Sequence, residues 1–98
     1  MKLIKSEAYE EIGAEFQFQI TSLLNQKLAA LNLDEATRKK VCEEFIFDCS
    51  MLFDQQPLNV ESNRYQVKIC FVKEDKLFIP NDAFSYHEYA FGIVDEIF

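Results

Sequence analysis

Residues 41–53 read VCEEFIFDCSMLF, a run in which nine of thirteen side chains are apolar and which follows the basic triplet Arg38-Lys39-Lys40. At 100° per residue, Val41, Leu52, Phe45, Cys49, Cys42, Phe53 and Ile46 fall on one broad arc, the signature of a helix pressed into a core. Phe47 and Met51 fall outside that arc, on the face that carries Glu43, Glu44 and Asp54. The run therefore predicts a helix with a core face and a second apolar spot ringed by acid.

Upstream, Ser6 followed by Glu7, Glu10 and Glu11 places anions where a helix N-terminal dipole favours them, and predicts a helix to about Leu31. Its expected stripe is Tyr9, Ile12, Phe16, Ile20, Leu23, Leu24 and Leu31. Phe18 falls opposite that stripe. Gly13 inside the helix costs up to about 1 kcal/mol relative to alanine, which a close packing contact would explain. EFQFQITSLL (15–24) and EFIFDCSMLF (44–53) align without gaps, sharing Glu, Phe, Phe and Leu. Coincidence and a duplicated helix explain that match equally well. In both, Phe at i and i+2 cannot address one neighbour, so each helix contacts something on two sides.

Asn32-Leu33-Asp34 is a link short enough to make the two helices an antiparallel hairpin, with Asp34 as N-cap of a second helix ending near Asp54 to Gln56, before Pro57. Arg64 to Val72 switches to period two, with Tyr65, Val67, Ile69 and Phe71 on one face. Leu77 to Ile79 returns across the turn Lys73-Glu74-Asp75-Lys76, and a third extended piece is available at Leu58 to Val60. Ser85-Tyr86-His87-Glu88 has capping-box spacing. It opens a last helix with Tyr86, Tyr89, Ala90, Ile93, Val94 and Ile97 on one stripe and Phe91 and Phe98 at its edge. The expected fold is α+β in the order ααββα: a helical hairpin, a short β-hairpin of two strands or three, and a C-terminal helix, all in one domain spanning residues 1–98.

Composition bounds the chemistry. With 98 residues, ten Phe, four Tyr and only two Gly and two Pro, the chain can bury one core without a metal or a disulfide. Cys42, Cys49 and Cys70 form no CxxC, and small core residues in a reducing cytoplasm are the simplest reading of all three. The N-terminus turns acidic before a signal-peptide hydrophobic region could form. A net charge of -7 argues against nucleic acid and anionic membranes as partners.

No catalytic or cofactor motif appears. His87 is the lone histidine, and HEYAF lacks the second histidine of HExxH, so neither a metal nor a cofactor is expected. Three functions remain. The first is a non-enzymatic domain that binds a basic protein through Phe47, Met51, Glu43, Glu44, Asp54 and Phe18, in the physical manner of small inhibitor and immunity proteins or adaptors. The second is a homodimeric scaffold or small chaperone that uses an open strand edge. The third is a small-molecule enzyme using His87.

Overall fold

A computed structural model describes all 98 residues. Strand β1 (Lys2–Ile4) leads into helices α1 (Ala8–Ala30) and α2 (Glu35–Asp54); strands β2 (Pro57–Val60), β3 (Asn63–Gln66), β4 (Phe71–Lys73) and β5 (Lys76–Phe78) follow, then helix α3 (Tyr86–Ile97). The class is α+β, with the helical hairpin and C-terminal helix expected from the sequence. The strands number five rather than two or three.

The hairpin closes through local chemistry. Asn32 takes φ 62°, a left-handed conformation that asparagine tolerates. This lets its amide reach the Ala29 carbonyl and the Leu33 amide reach that of Leu28, the paired bonds of a Schellman cap. Two residues on, Asp34 accepts the Thr37 amide at 2.8 Å and starts α2. That bond holds the Asp34 carboxyl below the usual aspartate range. Arg38 locks the corner, donating to Asn25 Oδ1 and to the Leu33 carbonyl.

α3 packs chiefly on α2 and next on α1. Its small Ala90, with Val94, meets Cys42 and Ile46, and Ile20, Leu24 and Leu28 close the cluster from α1. Because α2 has α3 as well as α1 for a neighbour, its buried line is Cys42, Ile46 and Ser50, turned by about 70° from the expected arc. Phe45 is left exposed as a result. On α1 the buried line is Tyr9, Gly13, Gln17 and Thr21, while Leu23 and Leu31, expected inside, face out. Gly13 is where the rings of Phe84 and Tyr86 approach: an added Cβ would stand 3.2 Å from each.

β5 is the centre of a three-stranded sheet, antiparallel to β4 and parallel to β1. Phe71 of β4 lies against Tyr9 and Phe16, so this sheet is fastened to α1 by aromatic contacts. β2 and β3 form a separate two-stranded arm. The expected strand from Arg64 to Val72 is thus broken at 67–70, where the chain leaves the arm for the sheet. At the break the Tyr9 hydroxyl donates to the Ile69 carbonyl at 2.6 Å, replacing a ladder partner. Both hairpins turn without glycine, placing Glu61 and Glu74 at φ 57°.

Since the single proton of Tyr9 goes to a carbonyl, the Tyr86 hydroxyl is the donor in the 2.6 Å bond between the two phenols. Burial raises the pKa of both, and donating to Tyr9 raises that of Tyr86 further. An unfolded chain releases these protons near the ordinary 10.0, whereas the fold retains them. The stability they supply is complete below that pH and drains away as pH climbs through the raised values. The loss reaches about 1.4 kcal/mol per pH unit per tyrosine. Urea unfolding at about pH 9 and pH 11 should show that fall, and Tyr86→Phe should make it shallower. An unchanged slope in Tyr86→Phe would refute the assignment.

All three cysteines are free thiols. Cys42 is buried and Cys49 half-buried, which pushes both thiols up, but Cys70 is exposed and is no core residue. No helix is long and apolar enough to cross a membrane.

Candidate functional site

The site is α3 and its two flanks. On the α2 side, Phe47 stacks on Phe91, ring centroids 5.6 Å apart at 25°, and meets His87 edge-on. Phe47 thus packs beside the third helix rather than facing away from the core, yet it stays partly open. Phe91 is 53% exposed. Together they floor an open groove of about 640 Å³ walled by Ala36, Lys39, Lys40, Glu43, Glu44 and Asp48. The wall is therefore mixed in charge: three carboxylates against two lysines. Lys39 is also drawn to Asp95 of α3, 3.8 Å away.

On the α1 side, Phe18 is also half-buried, in a recess of about 390 Å³ with Ala14, Ile93, Glu11, Glu15 and Glu96. Here the charge is all negative. The two second phenylalanines of the aligned stretches consequently take equivalent places, one on each flank of α3. Their partners do not. Phe16 packs on Phe53 and Phe71, whereas Phe45 is exposed.

Met51 is half-buried and lines neither recess. Asp54 is drawn away from the groove rim altogether. It sits at the end of α2, its side chain 11% exposed, beneath the N-terminus of α3. Oδ1 accepts the Tyr86 amide at 2.9 Å, while Oδ2 accepts the His87 amide at 2.9 Å and the Ser85 hydroxyl at 3.1 Å. The expected capping box is not formed, because Ser85 makes no side-chain cap bond. A carboxylate from the preceding helix does that work, with the α3 dipole in its favour. Spacing within 85–88 could not show a partner more than thirty residues upstream.

His87 completes this cluster. Its Nδ1 lies 2.7 Å from Asp54 Oδ2 and 2.8 Å from Ser85 Oγ. Serine, histidine and aspartate invite comparison with a hydrolase triad, but there the serine addresses Nε2 and the acid Nδ1. Here both crowd the same nitrogen, so no proton can pass from serine through the ring. The geometry is that of a helix cap.

Gly92, beside Phe91 on α3, is exposed, and an added Cβ would meet no atom within 4 Å. Nothing within the chain requires glycine there. No group of three or more His, Cys, Asp or Glu side chains is placed to hold a metal ion. Compared with family models, with curated proteins and with solved structures, the chain matches none.

Proposed function

We propose that this chain is a non-enzymatic protein-binding domain, of inhibitor or adaptor type and working in the cytoplasm, whose α3 face receives a basic segment of a partner protein. The observation that carries the reading is that half-open phenylalanines flank α3 on both sides: Phe47, stacked on the exposed Phe91, beside three carboxylates and two lysines, and Phe18 among carboxylates alone. Interfaces draw most of their energy from a few apolar anchors, while surrounding charge sets the approach rate and the choice of partner. Glu43, Glu44 and Asp48, which outnumber Lys39 and Lys40, supply that charge on one side, and Glu11, Glu15 and Glu96 on the other. Asp54 holds the N-terminus of α3 from beneath. Gly92 fits the same picture, because a helix position without a side chain lets a partner's backbone lie close.

The test is a pull-down with identification of the bound protein, followed by association kinetics. Glu43→Lys with Glu44→Lys should slow association at least tenfold at low salt and flatten its salt dependence. Gly92→Ala should stabilise α3 by up to about 1 kcal/mol while weakening capture. If capture and its salt dependence survive the double charge reversal, the face is not the binding surface.

A further inference from the structure

The β2–β3 arm is the least supported part of the molecule. Its register pairs Leu58 with Tyr65 and Val60 with Asn63, so Leu58, Val60, Tyr65 and Asn63 share one face, three of the four apolar, and Pro57, Asn59, Arg64 and Gln66 the other. The ribbon is amphipathic by construction, yet its apolar face is open: Leu58 is 46%, Tyr65 54% and Val60 57% exposed. Beyond the pairing of its own strands, it has no extensive packing with any other element. A lone two-stranded ribbon is marginal in water unless that face is covered. The exposed leucines of α1 differ in this respect, since single apolar residues on a helix surface need no partner.

The whole molecule shows the same deficit. Its radius of gyration is 15.2 Å, against about 13 Å for a compact chain of this length. Its accessible surface is 6708 Å², against about 5,800 Å² for a monomer of this mass. That surplus, roughly 900 Å², belongs to the chain as a whole, and an arm that packs on no other element adds to it.

Charge decides between occupants. Two copies of a chain with net charge -7 repel over most of their surface, but residues 55–66 carry one acid, Glu61, and one base, Arg64. The arm is therefore electrically neutral and apolar on one side, the place where a second copy approaches with least repulsion. It would not attract the basic partner assigned to α3. We infer that the chain is a homodimer in which the Leu58–Val60–Tyr65 faces of two β2–β3 arms pack on each other about a two-fold axis. The α3 faces stay free in such a dimer, so this inference does not depend on the binding function proposed for them.

Sedimentation and light scattering of the full chain between about 1 and 200 µM should show twice the monomer mass at the upper end, dissociating on dilution. Val60→Glu with Tyr65→Glu should weaken self-association at least tenfold, with helical circular dichroism unchanged because the arm holds no helix. The chain has no tryptophan. Tyr65→Trp should therefore report directly, its emission moving to the blue as concentration rises. Phe91→Glu should leave the dimer intact, and the monomeric arm variant should still capture an α3 partner, which separates the two proposals. A native chain that stays monomeric throughout overturns the inference. So does a dimer that survives the arm substitutions or dissolves with Phe91→Glu, and so does emission from the Tyr65→Trp variant that shifts only when another protein is added.

Discussion

Asp54→Ala should lower the stability of the fold by about 3 kcal/mol and the melting temperature by more than about 10 °C. One carboxylate here accepts two α3 amides, the Ser85 hydroxyl and the His87 ring. Removing a helix cap alone costs about 1 to 2 kcal/mol. The remainder comes from charge-assisted bonds, each stronger than a neutral one, whose donors lose their partner in a half-buried site. Asp54→Asn keeps one carbonyl oxygen and should cost about half as much. His87→Ala removes only one of the four donors and should cost less than either. Urea and thermal unfolding of the three variants give the ranking, and a cost below about 1 kcal/mol for Asp54→Ala would mean that α3 is held without its cap.

Gln17→Ala should cost a similar amount, about 3 kcal/mol, for a different reason. The Gln17 side chain is fully buried, and its amide donates to Ser50 Oγ at 3.0 Å and to the Tyr86 carbonyl at 2.8 Å, joining all three helices. Its Oε1, however, has no partner. Alanine would leave a cavity where the three helices meet. Leucine refills most of that volume and removes the orphaned oxygen, so Gln17→Leu should lose less than half as much. Ser50 Oγ still donates to the Ile46 carbonyl, and Gln17→Leu with Ser50→Ala should be closer still to the native value. If leucine proves as damaging as alanine, the two donated bonds outweigh the unsatisfied oxygen, and Gln17 is a stabilising cross-brace rather than a tolerated polar group.

These two residues also mark the boundary between what one-dimensional spacing reveals and what it hides. Asp34 is recognisable as a cap because its acceptor reaches an amide three residues on. Asp54 is not, because the helix it caps begins only after four intervening strands, more than thirty residues further along the chain. Gly13 announces a close contact because glycine inside a helix needs a reason, and the rings of Phe84 and Tyr86 supply it. Gln17 gives no such signal: an amide between phenylalanines on an amphipathic helix reads as outward-facing. Phe18 and Phe47 are readable as residues that miss the main stripe, but whether they face solvent or a third helix depends on where α3 docks.

Local chemistry along the chain was sufficient for the α+β class, the helical hairpin with its Asn32–Asp34 corner and the C-terminal helix, since caps, turns and periodicity act over a few residues. Packing alone decided the rest. It turned α2 toward α3, drew Asp54 under the α3 N-terminus, recruited Lys2–Ile4 as a parallel strand beside β5, and split 64–72 between an arm and a sheet. Each of those outcomes joins residues distant in sequence, whose pairing is set by the shape and polarity of the opposing surface and leaves no repeat or spacing in the chain itself.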